Sequence, residues 1–224
     1  MAILRPVSSD RRPTLVLVGP PGAGKTTVGR ALARRLGVSF TDADHLIEER
    51  AGKSIPDVFV EDGEPAFREL EREVIAEALT STDGVLALGG GAVMAPETRE
   101  ALRGHRVVAL MVGLADGVRR TGMSTARPLL TGVNPRATFK ALLEARIPLY
   151  REVATVEVDT SRKTPGQVVR AVLEAIGEAA PDEGPGDEID EEPGDVDEVG
   201  AGAPDDLPLL PNPTVLGSDR DRPS

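Results

Sequence analysis

The sequence predicts an α/β fold in which a parallel β-sheet carries helices on both faces. Five short apolar segments have the composition of buried strands, and helical segments separate them along the chain. A strand covered on both faces is a continuous apolar run rather than an alternating one. Strands that alternate with helices are joined by crossovers, which produce a parallel sheet.

The predicted elements follow one another regularly along the chain. The strands are expected at 14–18, 38–44, 84–88, 106–112 and 154–158. The helices are expected at 27–36, 44–50, 54–60, 64–79, 96–102, 115–120, 135–149 and 164–177. Pro148 should disturb the end of its helix, because a proline inside a helix removes a hydrogen bond. Residues 121–133 are rich in Gly, Pro, Ser and Thr, which predicts a mobile loop.

The negative charge of the chain lies at one end. The net charge is −11, and residues 178–224 contain 15 acidic side chains and 2 arginines, whereas residues 1–177 contain 22 acidic and 24 basic ones. Such an acidic segment cannot bury enough apolar surface to offset its ordering entropy. We therefore expect a flexible lead over residues 1–13, one domain over 14–178 and a disordered acidic tail over 179–224.

The composition also argues against several classes of protein. Without cysteine the chain has neither disulfides nor thiolate metal sites. The near-neutral domain lacks the basic surface typical of nucleic-acid-binding proteins. No apolar run approaches the roughly 20 residues of a membrane span, and no secretory signal is evident. We expect a cytoplasmic monomer that binds neither nucleic acid nor membrane.

The strongest motif is GPPGAGKT at residues 19–26, which matches the phosphate-binding pattern G-x-x-x-x-G-K-[ST]. Its glycines let backbone N–H groups wrap a phosphate chain, and the helix that follows adds N–H donors and a positive dipole end. Lys25 is predicted to reach the β- and γ-phosphates, and Thr26 to place its hydroxyl on Mg²⁺. With a strand before it and a helix after it, the motif predicts a three-layer P-loop NTPase fold.

Polar residues near other strand ends predict an acceptor pocket at the same edge of the sheet. Asp42 and Asp44 would point to opposite sides of a strand end, one toward magnesium and one toward the acceptor, unless Asp44 caps the next helix. Arg68 and Glu71 are one helical turn apart, so they form either a carboxylate-binding fork or an ordinary surface ion pair. Residues 89–91, three glycines, offer bare backbone N–H groups to a small ligand.

Further arginines complete the candidate set. Arg127 lies in the predicted loop, where an arginine carried on a lid can neutralise a transferring phosphoryl group. Arg146 and Arg151 flank the segment Pro-Leu-Tyr at 148–150. Either of them could bind an anion, or both could lie on a solvated helix face.

Together these motifs resemble the shikimate kinase family of small P-loop kinases. The matching stretches occur in the family's order over about residues 14–178. They are GPPGAGKTT (19–27), FTDAD (40–44), GEPAFRELE (63–71), LGGGA (88–92), RPLL (127–130), RIPLY (146–150) and VDT (158–160). The resemblance implies MgATP-dependent phosphorylation of the 3-hydroxyl of shikimate, in the pathway to chorismate and the aromatic amino acids.

The resemblance also implies roles for individual residues. The catalytic residues would be Lys25, Asp44 and Arg127, and the magnesium side would be Thr26 with Asp42. ATP would contact Gly22, Ala23, Gly24, Lys25, Thr26, Thr27, Arg120, Arg127, Lys163 and Pro165. Shikimate would contact Asp44, Arg68, Gly89, Gly90, Gly91 and Arg146. Lys163 stands where the family often has an arginine, and a lysine cannot stack as a guanidinium does.

Two other functions fit parts of the pattern. The first is a sugar-acid kinase on the same scaffold, such as a gluconate kinase, against which the glycines at 89–91 and the segment 64–71 argue. The second is a non-catalytic nucleotide-binding module whose tail docks a partner. The intact set of candidate catalytic residues argues against loss of activity.

Overall fold

The computed structural model describes residues 13–121 and 135–178, which contain five strands and eight α-helices. The strands are β1 (Pro13–Val18), β2 (Phe40–Asp42), β3 (Gly84–Ala87), β4 (Val107–Met111) and β5 (Val156–Asp159). The helices are α1 (Lys25–Leu36), α2 (Ala43–Ala51), α3 (Ile55–Glu61), α4 (Gly63–Ser81), α5 (Pro96–Ala101), α6 (Leu114–Thr121), α7 (Pro135–Val153) and α8 (Pro165–Ala175). No helix within these two ranges combines the length and the apolar character that crossing a membrane requires.

The strands form one sheet in the order β2-β3-β1-β4-β5, and every neighbouring pair is parallel. β1 lies at the centre, where Val16 pairs with Leu86 of β3 and with Val107 of β4. The predicted α/β class and parallel sheet are confirmed. Because all strands run in one direction, the loops that follow them lie at one edge of the sheet, as ligand-binding loops do in such folds.

Alternate side chains of β1 belong to two separate cores, as the two-residue period of a strand requires. Leu15 and Leu17 belong to the core that α1 and α8 cover. Val16 and Val18 belong to the core that α4 and the residue after α5, Leu102, cover. Helices therefore cover both faces of the sheet. A smaller cluster joins α2, α3 and α4.

Two predicted boundaries were wrong. α7 continues past Pro148 to Val153, although the sequence predicted its end near residue 149. Proline removes one hydrogen bond, but the turn after it remains helical and its Tyr150 is fully buried. The predicted strand 38–44 is only Phe40–Asp42, because Asp42 caps α2 by accepting a hydrogen bond from the Asp44 N–H at 3.2 Å. Asp44 is therefore a first-turn residue of α2 and not its cap.

Gly19, directly after β1, is expected to tolerate no side chain. Its φ is +147°, and a Cβ atom there would overlap the carbonyl oxygen of Leu110. We expect Gly19→Ala to lower the free energy of unfolding by about 3 kcal/mol. Gly52→Ala is the matched control, since its φ is +69° but nothing lies within 4 Å of its Cβ position. That change should cost about 1 kcal/mol. Equal losses of the two variants in urea unfolding would contradict this prediction.

Candidate active site

A cleft of about 390 Å³ lies where the loops after β1, β2 and β3 meet. The structure brings nine of the predicted site residues to its lining: Gly22, Gly24, Lys25, Thr26, Thr27, Asp42, Asp44, Gly90 and Arg120. Ala23 is buried beneath the loop. Asp42 and Asp44 both line the cleft rather than pointing to opposite sides of a strand. Of the predicted acceptor residues, Asp44 and Gly90 are in this lining, whereas Arg68, Gly89, Gly91 and Arg146 are not.

The phosphate loop forms because glycines accept backbone angles that other residues avoid. Gly22 and Gly24 have φ of +76° and +87°, in the left-handed region. The Nζ atom of Lys25 donates to the carbonyl oxygens of Gly19 at 2.9 Å and Pro20 at 3.2 Å. The ammonium group is thus folded back along the loop, at the N-terminus of α1. Cationic charge, a helix terminus and closely spaced N–H groups favour a phosphate chain at this position.

Thr26 and Asp42 form a pair of oxygen ligands beside the loop. The Thr26 hydroxyl donates to Oδ2 of Asp42 at 2.8 Å, and Oδ1 of Asp42 accepts from the Asp44 backbone. The cap of α2 therefore also fixes the orientation of the Asp42 carboxylate. Mg²⁺ in kinase sites takes one or two protein oxygens together with waters and substrate phosphates. A hydroxyl and a carboxylate next to a phosphate loop fit that requirement.

Two carboxylates flank Gly89. A Cβ atom on Gly89 would lie 2.7 Å from Oδ1 of Asp44 and 3.1 Å from Oε1 of Glu71. Asp44 is exposed to the cleft, whereas Glu71 is 3% exposed. Only glycine leaves room for both carboxylates at position 89. The Asp44 carboxylate can therefore lie close to the backbone of Gly89.

Arg68 makes a mostly buried ion pair with Glu71 and a more exposed one with Glu64. Its Nη1 donates to Oε2 of Glu71 at 2.7 Å, and its Nε and Nη2 contact Glu64 at 3.3 and 3.2 Å. The side chains of Arg68 and Glu71 are 21% and 5% exposed. A Cβ atom on Gly91 would lie 2.5 Å from Nη1 of Arg68. The guanidinium group is therefore held against the glycine turn.

Of the two arginines that flank residues 148–150, one faces the glycine turn. Nη1 of Arg146 donates to the carbonyl oxygen of Gly90 at 3.0 Å. Arg151 instead forms an exposed ion pair with Glu157. Arg146 contacts Gly90 and the guanidinium group of Arg68 lies against Gly91, so both arginines approach the same turn.

Arg120 links the phosphate loop to the turn after β5. Its Nη1 donates to the carbonyl oxygen of Gly22 at 3.2 Å, and its Nη2 to that of Thr160 at 3.0 Å. In the same turn Nζ of Lys163 donates to the Asp159 carbonyl oxygen at 2.8 Å, and Pro165 begins α8. The backbone N–H of Ser161 holds the pKa of the Asp159 carboxyl below its ordinary value. Lys163 and Pro165 lie beside this turn and not in the lining of the cleft.

Several predictions lie outside the described residues. Arg127 does, together with all of the predicted lid except Thr121. The predicted lead, apart from Pro13, and the predicted tail over 179–224 also lie outside them.

Sequence reasoning assigned no role to two residues of the site. Tyr150 donates its hydroxyl to the Gly90 carbonyl at 2.6 Å, and Thr160 is 1% exposed beneath Arg120. Both lie in stretches that match the family, RIPLY and VDT. The available signal was that a hydroxyl in an apolar segment needs a partner when it is buried.

The fold and the phosphate loop in its cleft define a P-loop phosphotransferase. The shikimate kinase family model matches residues 21–177. The chain is 59% identical over 164 residues to a shikimate kinase from Saccharopolyspora erythraea, covering 73% of this chain and 94% of that protein. It is 53% identical over 173 residues to one from Mycobacterium ulcerans, covering 77% and 94%. The chain therefore belongs to the shikimate kinase family, and it is an ATP-using kinase.

Solved structures agree with this membership. A shikimate kinase from Acinetobacter baumannii in complex with shikimate aligns with a TM-score of 0.71 at 41% identity, covering 74% of this chain and 93% of that chain. A shikimate kinase from Aquifex aeolicus aligns with a TM-score of 0.63 at 32% identity, covering 73% and 95%. The resemblance found in the sequence is confirmed.

Proposed function

We propose that the protein transfers the γ-phosphoryl group of ATP to the 3-hydroxyl of shikimate, which gives shikimate 3-phosphate for chorismate and aromatic amino acid synthesis. The observation that supports this proposal is a phosphate loop that shares one cleft with Asp44 and Gly90. Lys25 belongs to that loop, and Asp44 lies beside a glycine turn that the two arginines Arg68 and Arg146 approach.

The nucleotide side would hold ATP through backbone and cationic groups. The N–H groups of Gly22, Ala23 and Gly24, with those at the start of α1, would surround the β- and γ-phosphates. Lys25 would move from the Gly19 and Pro20 carbonyls onto the phosphates, a short rotation of a flexible side chain. The remaining ATP contacts in this proposal are Thr26, Thr27, Arg120, Lys163, Pro165 and, from the predicted lid, Arg127.

Thr26 and Asp42 would hold Mg²⁺ on the phosphate side of the cleft. Their oxygen atoms are already 2.8 Å apart, and Asp42 would act through water. The bound metal supplies charge neutralisation on the phosphate oxygens. Thr26 and Asp42 would place the positive charge of the metal next to the loop that binds the phosphates.

The acceptor side would hold shikimate by its carboxylate and hydroxyls. Arg68 and Arg146 would bind the carboxylate, since guanidinium groups match its planar shape. Gly89, Gly90 and Gly91 would let the ring approach the backbone closely. Asp44 would accept a hydrogen bond from the 3-hydroxyl and take its proton as the new P–O bond forms and ADP leaves. Such a reaction depends mainly on positioning and charge stabilisation, which rigid groups at the sheet edge supply.

The proposal includes the organisation of the chain. Residues 14–178 would be the catalytic domain, with a lid over about 121–133, and residues 1–13 and 179–224 would take no part in the chemistry. The protein would act on small molecules as a cytoplasmic monomer, without nucleic acid or membrane.

The decisive experiment is a coupled assay of ADP release from MgATP with shikimate, with gluconate and with no acceptor. We expect release that depends on shikimate, with little release in the other two reactions. Efficient phosphorylation of gluconate without that of shikimate would identify a sugar-acid kinase instead. ATP binding without transfer to either acceptor would identify a non-catalytic nucleotide-binding module.

Arg68→Lys should weaken shikimate binding selectively. Lysine keeps the positive charge that Glu71 requires but lacks the planar fork that a carboxylate matches. We expect the KM for shikimate to rise roughly 10- to 100-fold, the loss of one charged hydrogen bond, while the KM for ATP changes less than about twofold. The control is Arg50→Lys, which changes the exposed ion pair with Glu77 between α2 and α4. A parallel rise of both KM values in Arg68→Lys would show that Arg68 does not contact the acceptor.

A further inference from the structure

The Gly90 carbonyl oxygen accepts two hydrogen bonds from one helix. Nη1 of Arg146 donates to it at 3.0 Å, and the hydroxyl of Tyr150 donates to it at 2.6 Å. The two donors are four residues apart on α7 and therefore lie on the same face of the helix. Together they fix the orientation of the peptide that joins Gly90 to Gly91, in a segment whose glycines have no side chains to hold it.

The two hydrogen-bond donors, Arg146 and Tyr150, differ in what they can do when shikimate binds. Arg146 is half-buried beside the turn, and in the proposed function its guanidinium group binds the shikimate carboxylate. Tyr150 is 0% exposed and belongs to the core that covers one face of the sheet, so it does not reach the ligand. Burial raises the pKa of its hydroxyl, against the opposing effect of Arg146, and the hydroxyl therefore stays protonated as a donor.

The shared carbonyl matters because a partly buried carbonyl oxygen that loses its donor lowers stability. If Arg146 alone satisfied Gly90, any turn of its guanidinium group toward the ligand would leave that carbonyl unpaired. Tyr150 keeps the carbonyl paired whether or not Arg146 remains on it. The hydroxyl also keeps the Gly90–Gly91 peptide in one orientation during the change.

We propose that Tyr150 is a positioning residue for shikimate binding, which holds the Gly90 carbonyl so that Arg146 can turn to the substrate carboxylate. This inference rests on the proposed function. Tyr150 would touch no substrate atom and would act only through the glycine turn and through Arg146. It should therefore affect acceptor binding and leave the nucleotide side unchanged.

The first test is Tyr150→Phe, which removes the hydroxyl and keeps the buried ring. We expect the KM for shikimate to rise roughly 5- to 30-fold, the effect of one hydrogen bond, with the KM for ATP within about twofold of its original value. The matched control is Thr82→Val, which removes another hydroxyl, one that donates to a backbone carbonyl at 2.6 Å at the end of α4. Both variants should lose similar thermal stability, but Thr82→Val should keep both KM values.

An unchanged KM for shikimate in Tyr150→Phe, or equal rises in the KM values for shikimate and ATP, would overturn the proposal. Absence of shikimate-dependent turnover in the unmodified protein would overturn the proposed function itself. Failure of the proposed function can therefore be distinguished from failure of the proposal for Tyr150.

A second measurement needs no variant. Tyr150 is the only tyrosine of the chain and there is no tryptophan, so tyrosine emission reports on this one hydroxyl. Adding shikimate to the unmodified protein should change that emission with the same concentration dependence as binding, because Arg146 leaves or shifts on the shared carbonyl. Emission that stays constant through saturation with shikimate would contradict the proposal, even if Tyr150→Phe failed to fold.

Discussion

Lys25→Met should abolish phosphoryl transfer, with kcat reduced on the order of 10³-fold. Methionine keeps the length and apolar stem of lysine but removes the only lysine that lines the described cleft. In the proposed reaction that ammonium group stabilises negative charge on the transferring phosphoryl group, and a desolvated site makes its loss expensive. The measurement is single-turnover transfer from ATP to shikimate at saturating concentrations of both.

The fold should survive this change. Lys25 donates to the carbonyls of Gly19 and Pro20, and each hydrogen bond contributes about 1 kcal/mol to stability. Lys140→Met is the control, because Lys140 is an exposed lysine on α7 that contacts Glu144. Its turnover should be unchanged. Near-normal turnover in Lys25→Met would mean that the phosphate loop binds nucleotide without assisting the transfer.

The geometry of the proposed nucleotide half of the site could be predicted from the sequence because it depends on neighbouring residues of the chain. The loop from Gly19 to Thr26 needs glycines at fixed spacing between a strand and a helix, and all of these are contiguous in the chain. Asp42 lies 16 residues away, but β2 adds to the same parallel sheet, which brings its end beside the loop. The local sequence pattern and the parallel direction of the strands were together sufficient to predict that the loop and Asp42 lie side by side.

The acceptor half depends on contacts between distant segments, which sequence patterns do not specify. Spacing alone did not separate Arg146 from Arg151, and the choice of Arg146 came from the family resemblance. In the structure the rotation of α7 directs Arg146 to Gly90 and Arg151 to Glu157. That rotation depends on α7 continuing through Pro148 with Tyr150 buried, whereas the sequence predicted that the helix would be disturbed there. The buried hydroxyl of Tyr150 went unassigned for the same reason.

Asp44 has two possible roles, one in stabilising α2 and one in accepting the proton of the acceptor hydroxyl, and an experiment has to separate them. It stands in the first turn of α2, where an acidic side chain stabilises the helix by about 0.3–1 kcal/mol. It also lines the cleft and lies beside Gly89, where the proposed function places the acceptor. The two possible roles of Asp44, support of the helix and acceptance of a proton, predict very different values of kcat for the same substitution.

Asp44→Asn should lower kcat on the order of 10²- to 10⁴-fold, the usual contribution of a positioned general base. Asparagine keeps the shape and can still contact the hydroxyl, but it cannot take its proton. Asp57→Asn is the control, since Asp57 is a first-turn acid of α3 and is not in the lining of the cleft. Both variants should lose similar, small amounts of thermal stability, and only Asp44→Asn should lose turnover. If the two variants kept the same kcat, Asp44 would be a helix-stabilising residue, and another group would have to take the proton of the acceptor hydroxyl.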